Sequence, residues 1–305
     1  MIHTYTHKNL TWIDIENPTK EDIEKIAKIH NIDHLVAKEL LVPTLRPKVE
    51  PAKNFIYLIL HFPVFSGIHG QESDDQEIDF LIWKNVLITT HYERIAPLDE
   101  FSKLFEMNSI LDKSYIGEHS GFLFFYIVRE LYGRLEEELD DITKALNTVE
   151  EDVFSGKEQK MVFEISKINR DLLNFKQATR LHKEVLISLE VAGKKMFGED
   201  FAPYLRALLG EYYKIENILE SNRDTLLELR ATNNSLLNTK TNEVMKVLTI
   251  MAFVTFPLML VSSIFGMNTV VLPLVGLKHD FWIIISIMIL ATISFFWFFK
   301  KKGWL

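Results

Sequence analysis

The sequence predicts an α/β cytoplasmic domain, then a run of long helices, then two membrane-spanning helices at the C-terminal end. Three observations predict it. Four β-branched or aromatic runs, bounded by Pro, Gly, Asn and Asp, lie within residues 1–108. From about Glu118 the apolar spacing changes to threes and fours and keeps that period. Finally, residues 247–277 and 281–299 hold no Asp, Glu, Lys or Arg, and about 20 apolar residues suffice for a helix to cross the hydrocarbon layer.

Residues 10–15, 55–64, 78–83 and 86–92 read as strands. Between the first two, a helix starts near Asn17 and Pro18, with Asn17 as N-cap and Glu21 and Asp22 near the positive end of the helix dipole. Residues 45–51 read as a connector that Pro47 and Pro51 keep extended, and 66–76, polar with two glycines, as a hairpin loop. Residues 122–153 form one long helical pattern and 158–191 a second; breakers gather at 193–203, and Pro203 sits in the first turn of a third.

Apart from Gly210, nothing interrupts that third pattern before Pro257. Continuous to Gly266, it would make a helix about 95 Å long at the α-helical rise, a stalk running directly into the membrane. Tyr212, Ile215, Leu219, Asn222, Leu226, Leu229, Asn233 and Leu236 alternate along it at three and four. Such a seam either packs on the two preceding helices or joins copies in a coiled coil, where buried asparagines fix register and copy number.

Composition excludes several classes of function. A net charge of −8 argues against a nucleic-acid partner. With no cysteine, disulfide, thiolate–metal and thiol-nucleophile chemistry are absent. The N-terminus has neither a basic nor an apolar leader region, so no cleaved signal is expected. The acidic runs Glu136, Glu137, Glu138, Asp140, Asp141 and Glu150, Glu151, Asp152 read as a solvated helix face. His3 and His7, like His30 and His34, have the i, i+4 spacing of zinc ligands but no third ligand in a recognisable motif. They read as exposed or hydrogen-bonded histidines. No Ser/His/Asp order, paired-carboxylate cleft or Gly-rich phosphate loop stands out, so no enzyme is expected.

The first span is punctuated by polar and small residues at helical spacing. Asn242, Met245, Thr249, Ala252, Phe256, Met259, Ser263 and Gly266 form one stripe, with Leu248 beside it. Such residues pack one membrane helix on another. They would equally face a shared pore in a symmetric oligomer, with Asn242 and Asn268 as polar rings at its ends, and periodicity leaves both open. The second span lacks a stripe and reads as the lipid-facing partner, anchored by Trp282 and Trp297. Lys300, Lys301 and Lys302 follow at once, which by the positive-inside rule places the C-terminus in the cytoplasm. Two spans return the large N-terminal part to the same side.

The sequence TNEVMKVLT at 241–249, Gly266-Met267-Asn268 at the end of the first of two spans, and the tail KKKGWL resemble the CorA family of divalent-cation (magnesium/cobalt) transporters, GMN-motif type. The resemblance is strongest over 241–305. It implies a funnel-shaped homopentamer in the cell's inner (plasma) membrane, both termini cytoplasmic. The partners are the chain's own copies, the bilayer and divalent cations. No resident cofactor is implied; Mg²⁺ enters as transported and regulatory ion. Gly266, Met267 and Asn268 become the selectivity filter, Asn268 holding the hydrated ion, and Met245 and Leu248 a hydrophobic constriction. Asn242 is a polar ring below it, while Thr249, Ala252, Phe256, Met259 and Ser263 line the pore. The acidic helices would lie near the cytoplasmic mouth and concentrate cations there.

The chain then divides into 1–117, the α/β domain; 118–245, the helical region and stalk; 246–268, the pore helix; 269–280, the outer loop; 281–299, the second span; and 300–305, the basic tail. Three positions depart from the family pattern. Phe256 stands before the proline where Met is common, the outer loop lacks the acid that follows its proline, and Ala207 replaces a regulatory aspartate, with Glu211 as a substitute. These departures leave three functions to weigh: uptake of Mg²⁺, with Co²⁺ and Ni²⁺; Zn²⁺ transport on the same architecture; and a membrane-anchored sensor that passes no ion.

Overall fold

The computed structural model describes residues 1–44, 46–64, 75–110, 117–269 and 272–304. Six strands, β1 (Ile2–His7), β2 (Leu10–Glu16), β3 (Lys48–Pro51), β4 (Ile56–Phe62), β5 (Gln76–Ile82) and β6 (Val86–His91), form one sheet in the order β1-β2-β6-β5-β4-β3. Only β2 and β6 pair in parallel. Every residue of β4 and β5 is buried, because helices cover both faces of the sheet. This is why β4 is apolar along nearly its whole length, while β5 also buries Gln76, Glu77 and Asp79.

On one face, Ile15, Tyr57, Ile59, Leu81 and Ile88 pack with Ile23 and Ile26 of α1 (Lys20–His30) and with Leu40, just beyond α2 (His34–Glu39). On the other, Trp12 meets Phe101 and Phe105 of α3 (Ala96–Ile110), and Phe80 meets Phe124 of α4 (Ser120–Phe154) edge-on at 5.2 Å. The predicted N-cap is displaced by two residues. Thr19, not Asn17, caps α1, its hydroxyl and the Asp22 carboxylate bonding each other's backbone N–H in a capping box. Asn17 instead takes the left-handed conformation at φ 49°. The extended connector at 45–51 contains β3, an edge strand, where Pro51 is tolerated because one side needs no ladder donor. The hairpin loop expected at 66–76 lies largely outside the described residues.

Three helices complete the chain before the second span. The pattern at 158–191 is not one helix but two, α5 (Glu158–Thr179) and α6 (His182–Phe197), separated at Arg180 and Leu181. Gly193 does not break α6. After a short 3₁₀ turn at Glu199–Phe201, α7 runs unbroken from Ala202 to Phe265, 64 residues, and α8 spans Asp280–Lys301. The chain forms two compact units, Met1–Arg230 and Ala231–Leu305.

The helical seam is used within the chain. Asn222 Nδ2 donates to the Leu139 carbonyl at 3.1 Å, and Thr143 donates to Asn222 Oδ1 at 2.9 Å, so this amide is satisfied on α4. Lys176 of α5 pairs with Glu220 at 2.7 Å. Of the two sequence readings, packing on the preceding helices therefore holds for 212–229.

The break before α6 places His182 in full burial, where it ties helices to sheet. Its Nε2 donates to the His61 carbonyl of β4 at 2.7 Å, and its Nδ1 accepts from the Tyr132 hydroxyl of α4 at 2.8 Å. Burial pushes its pKa down to about 4. The unfolded chain therefore takes up a proton below pH 6.5 that the fold refuses, and stability falls as pH drops from about 6.5 towards 4. His61 and His91 act in the opposite sense. Burial opposes their charging, but Glu77 and Asp14 respectively hold them above the usual value, so they stabilise at low pH and lose that contribution as pH rises through the raised pKa. Comparing wild type with His182→Gln by denaturant unfolding isolates the first term. Between pH 7 and pH 5 the wild type should lose about 2 kcal/mol more than the variant, the slope approaching roughly 1.4 kcal/mol per pH unit only below about pH 6.5.

Candidate functional site

The apolar part of α7 and the whole of α8 are long and apolar enough to cross a membrane. They pack through a narrow seam. Ile250 and Val254 of α7 are buried against Phe299 of α8, with Leu258 and Phe295 at the edge. At about 100° per residue, the stripe from Asn242 to Gly266 lies on the opposite side of α7, roughly 180° from this seam. Met245, Leu248, Phe256 and Met259 are each more than half exposed, and Asn242, Thr249, Ser263 and Gly266 are exposed as well; Ala252 is half-buried. Within one chain the stripe is therefore not the surface that packs the two spans together.

The stripe is uncharged along its length. Thr249 donates its hydroxyl proton to the Met245 carbonyl at 2.7 Å, so its oxygen presents only lone pairs outwards. Thr255, off the stripe, bonds Met251 in the same way at 2.9 Å. Pro257 lies inside α7 and leaves the Phe253 carbonyl without its helical donor. Lys246, the last charge before the span, is turned to the α8 side, its ammonium 3.3 Å from the Gly303 carbonyl.

The helix ends where the GMN sequence begins. Gly266 N–H still bonds the Ser262 carbonyl at 2.9 Å, Met267 N–H bonds Ile264 at 3.2 Å, and Asn268 lies beyond the helix, exposed. A Cβ on Gly266 would sit 3.2 Å from the Ser262 carbonyl oxygen, tight enough that the neighbour would have to give by a few tenths of an ångström. Glycine here lets α7 finish without pushing that carbonyl aside. Between the two spans, Asp280 accepts from the backbone N–H groups of Gly276 at 3.1 Å and Phe281 at 2.7 Å, so its carboxylate caps the start of α8.

A model of the family described as CorA-like Mg²⁺ transporter protein matches residues 7–301. The chain belongs to this family. It is 26% identical over 300 residues to the cobalt/magnesium transport protein CorA of Thermotoga maritima, covering 97% of this chain and 83% of that one. Among solved structures, the complete CorA magnesium transporter of Methanocaldococcus jannaschii superposes with a TM-score of 0.84 at 22% identity, covering 99% of this chain and 93% of that one. The full-length CmaX protein gives 0.74 at 16% identity, covering 97% and 89%. The CorA fold expected from the motif is thus the fold of this chain.

The structure also places the other features singled out in the sequence of this CorA-family chain. In the acidic run of α4, Glu136 pairs with Lys214 at 2.6 Å, Glu137 with Arg134 at 2.7 Å and Asp141 with Lys144 at 2.7 Å. Burial pushes Glu138 up to about 7, so it is partly protonated at neutral pH. Part of the charge of this run is thus paired with neighbouring Lys and Arg or neutralised at Glu138. His3 and His7 lie on one strand face about 13 Å apart at roughly 3.3 Å per residue, too far to share a metal. His30 packs against Trp83 at 5.4 Å, and Asn31, left-handed, separates it from α2 and His34. Among the described residues no three His, Asp or Glu side chains converge as a metal site. Ala207 is exposed and Glu211 half-buried on α7.

Sequence reasoning missed the α7–α8 seam and the close of the chain. Ile250, Val254 and Leu258 carried the signal, a strict i, i+4 apolar row opposite the stripe. The tail ends in a Schellman motif. Gly303, at φ 69°, bonds the Lys300 carbonyl, and Trp304 bonds the Phe299 carbonyl at 3.0 Å while its ring stacks on Phe299.

Proposed function

We propose that the chain assembles as a homopentameric channel-transporter that admits divalent cations, Mg²⁺ with Co²⁺ and Ni²⁺, to the cytoplasm across the inner (plasma) membrane. The observation that carries this reading is the stripe. It is neutral, unpartnered by α8, and continuous with an exposed asparagine at the end of the helix. One two-span subunit cannot enclose water, so several copies must turn their stripes to a common axis. Lys300, Lys301 and Lys302 orient the assembly with both termini inside.

The chemistry of the ion favours neutral oxygens. Mg²⁺ gives up its water reluctantly, so an entrance ring need only accept hydrogen bonds from coordinated waters. Asn268 amide oxygens do this, with Gly266 allowing the helix to end beneath them and Met267 packing the loop in place. Farther in, the Thr249 lone pairs supply further acceptors near the water path. Phe256, Met259, Ala252 and Ser263 line the passage between. Met245 and Leu248 form an apolar ring that closes by dewetting, and Asn242 forms the polar ring below it.

The test is uptake of Mg²⁺, Co²⁺ and Zn²⁺ into liposomes holding the purified chain, with the oligomer mass measured in parallel. Mg²⁺ flux from a pentamer is the expected result. Zn²⁺ flux without Mg²⁺ would assign the chain to zinc transport, as the scarcity of free acid in the outer loop allows. No flux of any ion would leave the sensor reading.

A further inference from the structure

The geometry points to a binding site for an anionic phospholipid at the basic end of the two spans, one per subunit, independent of which ion passes. Between α7 and α8 lies a cavity of about 570 Å³, within the usual range of small-ligand sites. Its body is aromatic, formed by Phe253 of α7 and Phe295, Phe298 and Phe299 of α8. Its basic end is closed by Lys302 and Trp304, and Ser294 lies on its wall. The Schellman turn at Gly303 holds Trp304 there, against Phe299, and Lys246 binds the Gly303 carbonyl from the other helix.

Two physical arguments choose the occupant. A cavity walled by phenylalanines in hydrocarbon cannot fill with water, and leaving it empty forfeits the contacts of every lining ring. An acyl chain is the apolar filler at hand. The rim then selects the headgroup. From Thr241 to Leu305 the acids are Glu243 and Asp280, and Asp280 starts α8 at the far end. The basic end carries Lys246, Lys300, Lys301 and Lys302, with Lys301 reaching over Trp297 at 5.2 Å. A second copy of the chain, related by an axis along the membrane normal, would bring the same lysines to the same depth and meet like charge. A phosphodiester complements it.

Native mass spectrometry of the full-length assembly, titrated with palmitoyl-oleoyl-phosphatidylglycerol or the phosphatidylcholine of the same chains, tests the site. The wild type should hold one phosphatidylglycerol per subunit about fivefold more tightly than phosphatidylcholine, the scale of one lysine contact at an anionic membrane surface. Lys302→Ala should remove that preference, and Ser294→Trp, which fills the cavity, should remove binding of both lipids. Equal binding of the two lipids, no binding by the wild type, or an unchanged lipid count in an intact Ser294→Trp assembly would overturn the site. Should Ser294→Trp fail to assemble, brominated phosphatidylglycerol decides. It should quench wild-type emission more than that of Trp304→Phe, and equal quenching would overturn the proposal.

Discussion

Replacing Asn268 with Ala should reduce divalent-cation uptake into liposomes by about tenfold or more. Each hydrogen bond from a charged partner is worth roughly 1.5–3 kcal/mol, and about 1.4 kcal/mol is one decade. Asn268 lies beyond the last turn of α7, exposed, so its truncation disturbs no packing. Oligomer mass and thermal unfolding should therefore match the wild type. The loss belongs to ion capture, and Asn268→Asp separates two versions of it. A carboxylate keeps the acceptors and adds charge, so it should restore binding of the hydrated ion while weakening discrimination between divalent cations. If Asn268→Ala transports as the wild type does, the filter is elsewhere.

Leu248→Ala should have the opposite sign. Leu248 is more than half exposed on α7, on the side away from Ile250 and Val254, so removing its methyl groups opens no cavity within the chain. What it removes is apolar surface from the proposed constriction. A dewetted constriction rewets steeply as it widens, and a ring of copies multiplies each truncation. Basal flux with no closing stimulus should rise several-fold, about 1 kcal/mol of barrier per fivefold change. Val254→Ala, nearly two turns farther along and on the seam to α8, is the control. It should lower stability, by roughly 0.5–1.5 kcal/mol for a small buried truncation, without opening the path.

The sequence made some of this legible and hid the rest for identifiable reasons. Strands β2, β4, β5 and β6 were readable because burial on one or both faces enriches them in β-branched and aromatic residues. β1 and β3 were not, since edge strands tolerate Thr, His, Lys and Pro, which look like loop. The break between α5 and α6 carries no Gly or Pro. It exists because His182 must reach the His61 carbonyl from the helix start, a tertiary demand that local propensity does not record. The Thr19–Asp22 capping box was visible as a spacing, yet Asn17-Pro18 offered a competing start two residues earlier.

In the membrane part, periodicity found the stripe but could not say which side of α7 meets α8. Both sides are apolar enough for hydrocarbon, and only the pairing of Ile250 and Val254 with Phe299 separates them. The seam at 212–229 shows the same ambiguity resolved the other way. A heptad-like row fits a partner helix from the same chain as well as one from a copy, and Asn222 is satisfied by Leu139 and Thr143.

The absence of cysteine makes the decisive measurement clean. Single cysteines placed at Ser263 and at Val254 can be tested with a water-soluble, membrane-impermeant thiol reagent during Mg²⁺ uptake. With the stripe facing a shared aqueous axis, Ser263→Cys should react and its flux should be blocked, while Val254→Cys, held against α8, should neither react nor lose flux. Block through Val254→Cys with Ser263→Cys indifferent would place the water path on the other side of α7 and contradict the pore described here.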